Sequence, residues 1–383
     1  MNPSTLDRDM LQVAARAAAR GMGHVEPNPM VGCVIGRDDG TVLGVGHHRR
    51  FGDRHAEVEA LRHCAMRGHS PRGATAWVTL EPCNHQGKQP PCTGALIEAG
   101  IARVIVARPD PNPVSTGGAE RLRTAGIEVR FTDACPEAVR ISDAFIMRIL
   151  HRRPWVIAKW AQTIDGCLAD ASGSSQWISG ERSRRGVHRL RGRVDAILTG
   201  IGTVLADDPL LTARGVPRRR IAMRIVIDPG LRIPEVGTLV QTIDQAPLMV
   251  VTTPEAAAEQ RVKAAALRRA GVALLELPRA GGGAILLRPL LEQLAAEREV
   301  SNVLVEGGAG LLGALARESL LDELRIHIGP TLLGDPAGLA PVAAAVGGVT
   351  VGLSDAAKYE LCSLRRRGAD ALLVYRRPVP PVT

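Results

Sequence analysis

Residues 79–100 read TLEPCNHQGKQPPCTGALIEAG. The apolar segment 74–80, which ends in this stretch, is typical of a β-strand, and residues 93–99 are typical of a helix. Cys83 and Cys92 therefore fall in the loop between the two elements, with Cys92 at the start of the helix. Because a strand that leads through a loop into a helix is the unit of α/β domains, this stretch predicts an α/β fold.

The segments on either side of this stretch also alternate between predicted helices and predicted strands. Residues 6–20 predict a helix whose apolar face carries Leu6, Met10, Val13, Ala14 and Ala17. The apolar runs 31–36 and 41–46 flank an Asp-Asp-Gly turn and predict a hairpin. Further helices are predicted at 55–67 and 117–125, and further strands at 103–107 and 127–131. This pattern is typical of a three-layer α/β domain.

A second α/β pattern begins after a basic, partly helical connector at 132–153. Its predicted strands are WVIAKW, VDAILTG, RIVID, LMVVT, VALLEL, NVLVEGG, LRIHIG and finally ALLVYR at 371–376. Helices are predicted between them at 182–191, 255–270 and 284–297. Because 383 residues exceed the usual size of one domain, we expect two three-layer α/β domains, at 1–150 and 151–383.

The charge balance is basic, but the composition does not favour nucleic-acid binding. The net charge is +9, and aromatic residues make up 2% of the chain, so side chains that stack on bases are scarce. Almost all basic residues are Arg, and the lysines are Lys88, Lys159, Lys263 and Lys358. We expect small anionic substrates such as phosphates, and no nucleic-acid partner.

Hydropathy and cysteine content indicate the compartment. No apolar run reaches about 18 residues, so we expect no membrane association. The first ten residues, MNPSTLDRDM, contain two acids and lack the apolar core of a secretory signal, which predicts a cytoplasmic protein. Seven cysteines, an odd number, then indicate metal ligation or buried thiols rather than disulfides.

The residues His55, Glu57, Cys83 and Cys92 form the strongest chemical pattern in the chain. One imidazole and two thiolates can bind zinc and leave a fourth tetrahedral position for water, whose pKa the metal lowers. Glu57, two residues after His55, is predicted to be the catalytic residue that carries a proton from the water to a leaving amine. One alternative replaces Cys92 by His85 as a ligand.

Several strings resemble a known family. HAEVEAL at 55–61, the stretch 79–100 and PNPMVGCVI at 27–35 are similar to the deaminase half of the bifunctional riboflavin biosynthesis deaminase/reductase. The eight residues between Cys83 and Cys92 support this resemblance, because tRNA and cytidine deaminases keep a short spacing between these cysteines. KWAQTIDG, SSQWIS, TGIGTVLADDPLLTAR and VEGGAGLLGAL resemble the reductase half.

The resemblance implies a fold and two activities. It implies a cytidine-deaminase-like N-terminal domain that uses Zn²⁺ and a dihydrofolate-reductase-like C-terminal domain that uses NADPH. The first would deaminate 2,5-diamino-6-(5-phosphoribosylamino)pyrimidin-4(3H)-one. The second would reduce the ribosyl group of 5-amino-6-(5-phosphoribosylamino)uracil to ribityl. We also expect a homo-oligomer whose partners are these phosphorylated pyrimidines.

The resemblance also implies substrate-binding residues in the first domain. Asn28 resembles an asparagine that contacts the pyrimidine, and its amide can both donate and accept hydrogen bonds. His48 matches a substrate-binding histidine, with His47 as the alternative. His85 and Lys88 resemble residues that contact the ribose phosphate. The alternative for these four residues is a solvated loop position or, for Asn28, an asparagine in a Pro-flanked turn.

In the second domain, residues 305–313 form a Gly-rich turn after a strand. Such a turn lets backbone amides approach a pyrophosphate at a helix N-terminus, although tight turns also use Gly for conformational freedom. The resemblance implies cofactor contacts at Ala161, Trp177, Thr203, Asp207, Gly308, Ala309, Gly310, Leu311, Leu312, Gly313 and Ala314. It implies substrate contacts at Ser175, Arg191, Leu211, Arg214 and Glu306.

The physical chemistry of these residues agrees with the implied roles, and alternatives remain. Arg191 and Arg214 can bind a phosphate through bidentate hydrogen bonds. Trp177 can instead be a core residue, and Asp207 with Asp208 can be a solvated turn before Pro209. The run Arg218–Arg220 is expected to be a solvent-facing loop.

Two other functions compete with this interpretation. The first is a deaminase that acts on nucleic acid and carries a C-terminal binding module. The Cys83–Cys92 spacing and the turn at 305–313 argue against it. The second is a non-catalytic zinc protein, in which Glu57 has no role.

Overall fold

The protein is described here from a computed structural model that covers residues 5–170, 173–174, 176–279, 285–334 and 356–379. The described residues form two compact units: unit 1 consists of residues 5–152 with Val379, and unit 2 consists of the described residues between Arg153 and Pro378. Among the described residues, no helix has the length and apolar character needed to span a membrane.

Unit 1 is built on a mixed five-stranded sheet with the order β2-β1-β3-β4-β5. Its strands are β1 (Gly32–Gly36), β2 (Val42–His47), β3 (Thr75–Val78), β4 (Arg103–Val106) and β5 (Glu128–Phe131). Strands β1 and β2 form the predicted antiparallel hairpin, and β3, β4 and β5 are parallel. The predicted strands of this half of the chain are thereby confirmed.

Helices cover both faces of this sheet. They are α1 (Thr5–Ala18), α2 (Ala56–Met66), α3 (Cys92–Glu98), α4 (Gly118–Thr124), α5 (Pro136–Arg140) and α6 (Asp143–His151), with a 3₁₀ turn at Ala19–Gly21. Val34, Trp77 and Ile105 pack in one core cluster with α1 and α5. Their strand neighbours, such as Cys33 and Val78, point to the opposite face and pack with α2, α3 and α4. Unit 1 therefore has the predicted three layers.

Glycines bring α2 unusually close to β2. A Cβ on Gly46 would lie 2.2 Å from the Ala56 carbonyl oxygen, and one on Gly44 would lie 2.4 Å from that of Ala60. Since real side chains cannot tolerate such distances, glycine at both positions permits the contact. The first turn of α2 is thereby held directly against the sheet.

Unit 2 is built on a nine-stranded sheet with the order β10-β9-β8-β7-β11-β6-β12-β14-β13. Its strands are β6 (Trp155–Gln162), β7 (Ala196–Gly200), β8 (Met223–Ile227), β9 (Leu248–Thr252), β10 (Ala273–Glu276), β11 (Asn302–Val305), β12 (Glu323–Ile328), β13 (Glu360–Arg367) and β14 (Asp370–Arg376). Neighbours from β10 to β12 pair in parallel, whereas β14 pairs antiparallel with both β12 and β13.

The core of unit 2 lies on both sides of this sheet. The helices are α7 (Glu181–Arg191), α8 (Ile201–Asp207), α9 (Thr238–Gln241), α10 (Pro254–Glu259), α11 (Arg261–Arg269), α12 (Leu287–Arg298) and α13 (Ala309–Arg317). Leucines of α12 and α13 pack against Val156 and Leu198 on one face. Ile157 and Ile197, which alternate with them, are buried on the other face.

Three details differ from the sequence prediction. Strand β13 was not predicted, because its side chains are mostly exposed and its residues 365–367 are all Arg. The predicted helix 255–270 is two helices, α10 and α11, since Gln260 leaves the helical conformation with φ −106° and ψ 37°. The short helices α8 and α9 were also not predicted, since seven and four residues are too few to show a helical period.

Candidate functional site

The predicted metal ligands lie together where two helices of unit 1 begin. His55 is the residue before α2, and Cys92 is the first residue of α3. Cys83 belongs to the loop that follows β3. One potential ligand atom from each of the three residues lies within 4.8 Å of the others. Both helix N-termini therefore direct their positive dipole ends toward the thiols, which favours thiolates.

The distances within this cluster fit a tetrahedral ion. His55 Nδ1 lies 3.4 Å from Cys83 Sγ and 3.3 Å from Cys92 Sγ. Bonds of ~2.0 Å to nitrogen and ~2.3 Å to sulfur would separate such atoms by roughly 3.5 Å in a tetrahedron. Hydrogen bonds from Cys92 and His55 lower the pKa of Cys83, so one thiolate is favoured before any ion binds. Among the described residues, His85 is not part of this cluster.

Glu57 lies in the first turn of α2 and is only 3% exposed. Burial, together with the negative charge of Cys83, raises the pKa of Glu57 to about 7. A carboxyl group with a pKa near neutrality can both accept and return a proton. Since Glu57 also lines the cavity described next, it is placed to exchange protons with a bound molecule.

A cavity of ≈ 300 Å³ opens beside these residues, and all four predicted substrate contacts of unit 1 line it. His48 is buried; its Nδ1 lies 3.1 Å from the Arg54 carbonyl oxygen and its Nε2 lies 3.3 Å from Asn28 Nδ2. His48 can therefore donate to Arg54 and accept from Asn28. The His48 ring also meets the His55 ring edge-on, with centroids 5.4 Å apart. The alternative, His47, is not among the residues that line the cavity.

The two predicted phosphate contacts lie in the loop between the cysteines. The Lys88 ammonium stands over the Phe51 ring, 4.0 Å from its centroid. Nδ1 of His85 is buried and finds no hydrogen-bond partner within the described part of the chain. A buried polar atom without a partner is costly, and a ligand that supplies one would remove this cost.

The sequence analysis missed several polar residues of this cavity, among them Glu81, Asp110 and Ser115. Glu81 accepts a hydrogen bond of 2.8 Å from the Ala119 amide, and Asp110 accepts one of 2.5 Å from the Ser115 hydroxyl. Burial raises the pKa of Asp110. The string DPNP at 110–113, which follows a strand, was the available signal, since turn residues after strands often carry function.

Unit 2 contains a larger cavity of ≈ 930 Å³. Ten of the predicted contacts line it: Ala161, Trp177, Arg191, Thr203, Asp207, Leu211, Arg214, Glu306, Gly308 and Ala309. Ser175 lies outside the described residues. Residues from β6, α7, α8 and the turn after β11 thus surround one space.

The Gly-rich turn contributes its first residues to this cavity. Gly308 is extended and precedes α13, whose first residue is Ala309. Side chains further along the helix point elsewhere, since Leu311 and Leu312 are buried in the core and Ala314 packs against it. Gly313 is buried and Gly310 is exposed. A role for positions 310–314 in cofactor binding therefore rests on their main-chain atoms.

Two predicted substrate contacts bind each other. Glu306 receives hydrogen bonds of 2.6 Å and 3.0 Å from Nε and Nη2 of Arg191. The two N–H groups of Arg191 that we expected to bind phosphate therefore already bind Glu306. Arg214 is exposed at the same cavity, so it is the better placed of the two for that role.

Lys159 was missed as a candidate residue of this cavity. Lys159 lines the same cavity as Glu306, and burial lowers the pKa of the Lys159 amine. Its position within KWAQTIDG, in a chain that has four lysines and otherwise uses Arg, was the available signal.

Burial and hydrogen bonding bear on two alternatives from the sequence analysis. Trp177 is 69% exposed and its ring stacks on Arg184, so it is not a core residue. Asp208 accepts hydrogen bonds of 2.9 Å and 2.5 Å from the amide and hydroxyl of Thr238. Asp208 therefore fixes the start of α9, and both Asp207 and Asp208 line the cavity.

Two family models match separate parts of the chain. Residues 4–108 match a family model described as the cytidine and deoxycytidylate deaminase zinc-binding region, and residues 154–373 match the RibD C-terminal domain. The chain is 40% identical to riboflavin biosynthesis protein RibD of Aquifex aeolicus, covering 86% of this chain and 88% of that protein. It is 39% identical to the RibD protein of Escherichia coli, covering 94% and 96%.

Solved structures of RibD proteins also align with nearly the whole chain. A structure of Acinetobacter baumannii RibD aligns with a TM-score of 0.77 at 33% identity, covering 98% of this chain and 99% of the other. A Thermotoga maritima structure described as a diaminohydroxyphosphoribosylaminopyrimidine deaminase/5-amino-6-(5-phosphoribosylamino)uracil reductase aligns with a TM-score of 0.78 at 32% identity, covering 97% and 99%.

Proposed function

Because this chain belongs to the RibD family of riboflavin biosynthesis proteins, we propose specific roles for its residues in the two reactions of that family. The protein is a bifunctional enzyme, with a zinc-dependent deaminase and an NADPH-dependent reductase. We assign the deaminase to residues 1–150 and the reductase to residues 151–383. The observation that carries the proposal is the convergence of His55, Cys83 and Cys92 beside the buried Glu57.

In the deaminase, His55, Cys83 and Cys92 hold the zinc ion. When bound, zinc lowers the pKa of water and makes it a nucleophile near neutral pH. Glu57 accepts a proton as the water oxygen bonds to the amine-bearing ring carbon. It returns the proton to the amine nitrogen, so that the carbon–nitrogen bond breaks and ammonia leaves. Asn28 and His48, which hydrogen-bond to each other, orient the pyrimidine ring.

In the reductase, the residues that line the larger cavity would hold NADPH, and the cofactor would supply the hydride that C1′ of the ribosyl group gains. The reaction also needs one proton, because the bond between C1′ and the ring oxygen breaks and that oxygen becomes a hydroxyl. We assign this proton to the ammonium group of Lys159, which lies in the cavity with Glu306. Arg191 holds Glu306 in place through two hydrogen bonds. Arg214 binds the substrate phosphate.

The remaining cavity residues complete the two binding sites. His85 and Lys88 bind the phosphate of the deaminase substrate. Ala161, Trp177, Thr203, Asp207 and the turn from Gly308 to Ala314 bind NADPH. We place both reactions in the cytoplasm, with phosphorylated pyrimidines as the partners. A homo-oligomer and the lack of a nucleic-acid partner stay predictions.

Removal of the metal is expected to separate the two activities. Treating the purified chain with a zinc chelator should stop ammonia release from the diaminopyrimidinone substrate, because the cysteines and His55 then hold no ion. NADPH oxidation with the deaminated intermediate should continue at an unchanged rate. Ammonia production and absorbance at the cofactor band measure the two steps. Loss of both activities, or of neither, would contradict the assignment.

A further inference from the structure

A second cavity in unit 1 is not explained by the roles assigned above. It measures ≈ 330 Å³ and is lined by Arg49, Arg54, Arg62 and Glu59. Its remaining wall consists of Gly52, Asp53 and Gln89, and these three residues also line the cavity beside the metal ligands. The two cavities are therefore neighbours with a common wall.

The arginines of this second cavity are arranged around one buried carboxylate. Glu59 is 7% exposed, and its oxygens lie 3.2 Å from Arg49, 3.8 Å from Arg54 and 3.8 Å from Arg62. The three arginine side chains themselves are between 53% and 62% exposed. The cluster, which we call the arginine cluster, thus has a buried negative centre and a solvent-accessible positive rim.

Glu59 cannot accept hydrogen bonds from all the N–H donors of the three arginines. Each guanidinium carries five N–H donors, whereas one carboxylate has acceptor sites for about four hydrogen bonds. With Asp53 included, three positive and two negative side chains line the cavity, so one positive charge remains. A phosphate group supplies negative charge beside this excess positive charge, and acceptors in the geometry that guanidinium groups prefer. Because Glu59 restrains the arginines beforehand, an anion would lose less side-chain entropy on binding.

The position of the cluster indicates which phosphate it binds. Arg49 directly follows His48, and Arg54 directly precedes His55. The main-chain carbonyl of Arg54 is the partner of His48 Nδ1, so the segment that bears the arginines also fixes the pyrimidine side of the catalytic cavity. Lys88, the predicted phosphate contact, packs on Phe51 in the middle of this segment. Lys88 and the arginines therefore line neighbouring cavities on the two sides of the wall that Gly52, Asp53 and Gln89 form.

We propose that Arg49, Arg54 and Arg62, held by Glu59, form a phosphate subsite that acts together with His85 and Lys88 to bind the phosphate monoester of the deaminase substrate. The proposal rests on the assigned deaminase reaction and adds to it the residues that select a phosphorylated substrate. Free inorganic phosphate has the same chemistry and should compete for the same subsite.

The test compares the doubly substituted variant Arg49→Gln/Arg62→Gln with the parent chain. Arg54 is left intact because it is adjacent to a metal ligand. Deaminase rates are measured with the phosphorylated substrate and with the same compound lacking its phosphate. We expect KM for the phosphorylated substrate to rise about tenfold, the effect of losing charge-assisted hydrogen bonds at half-exposed positions, with kcat unchanged. KM for the dephosphorylated compound should not change.

Controls separate a binding defect from a folding defect. Arg121→Gln removes an exposed arginine of α4 in the same unit and should leave both KM values unchanged. Zinc content and circular dichroism of the double variant at the assay temperature should match those of the parent, which shows that the variant is folded during the assay. Inorganic phosphate should raise the apparent KM of the phosphorylated substrate in the parent, and this inhibition should weaken in the double variant.

Three results would overturn the proposal. An unchanged KM for the phosphorylated substrate would show that the arginine cluster does not contact the phosphate. An equal rise for both substrates would show that the cluster only supports the loop. Activation by inorganic phosphate would show a separate anion site. If the parent chain released no ammonia from either compound, the assigned deaminase reaction itself would fail instead.

Discussion

Replacing Glu57 by glutamine is expected to slow ammonia release by roughly a thousandfold, the usual effect of losing a general acid–base group. Glutamine has nearly the same shape as glutamate but cannot accept and return a proton. Glu57 is buried, with a pKa raised by burial to about 7, and it is not one of the ligand residues. The variant should therefore keep its zinc while it loses the deaminase.

The measurement combines three readings on the same preparation: ammonia release, zinc content and NADPH oxidation with the deaminated intermediate. Glu98→Gln removes an exposed carboxylate from α3, the other helix that carries a ligand, and should leave all three unchanged. A Glu57→Gln variant that retains zinc and still deaminates within about tenfold of the parent rate would remove Glu57 from the mechanism, since general acid–base catalysis contributes more than that.

Replacing Lys159 by methionine is expected to lower the reductase rate by roughly a hundredfold or more, because methionine fills similar space but donates no proton. The deaminase should not change. In the parent enzyme, the pH dependence of the reductase kcat should report the protonation of Lys159. Burial lowers the pKa of Lys159, and only its protonated form can donate. The reductase kcat should therefore fall as pH rises through this pKa, before ordinary lysines deprotonate.

Lys358→Met provides the matched control, since Lys358 is an exposed lysine of the same unit. Single-turnover NADPH oxidation with saturating intermediate measures the rate directly, and titration of NADPH binding shows whether the cofactor still binds. The assignment of the proton to Lys159 would be wrong if the methionine variant kept the parent rate. It would also be wrong if the alkaline decline persisted unchanged in that variant.

The metal site and the strand framework could be predicted from the sequence because both depend on local patterns. His55 and Glu57 are two residues apart at a helix start, and the two Pro-Cys pairs at 82–83 and 91–92 flank one loop. Zinc binding and proton transfer require these residue types, so their spacing along the chain is enough to predict the site. Buried strands such as β7 and β9 show continuous apolar runs, which are recognisable without neighbours.

Features that depend on distant parts of the chain could not be predicted in this way. Strand β13 has an exposed, charged sequence and is a strand only because β14 provides its hydrogen-bonding partner. Arg191 and Glu306 are separated by 115 positions, so nothing local indicates that they pair. The arginine cluster was missed because Glu59 looks like an ordinary helical carboxylate until the loop bearing Arg49 and Arg54 folds over it.

Zinc K-edge X-ray absorption on the purified chain tests the central claim most directly, because it counts the atoms around the ion. The account predicts one zinc per chain, with two sulfur atoms at ~2.3 Å, one imidazole nitrogen at ~2.0 Å and one further light atom. In the Cys92→Ser variant, the number of sulfur neighbours should fall from two to one. A first shell with one sulfur in the parent, or with four, would contradict a site formed by His55, Cys83 and Cys92.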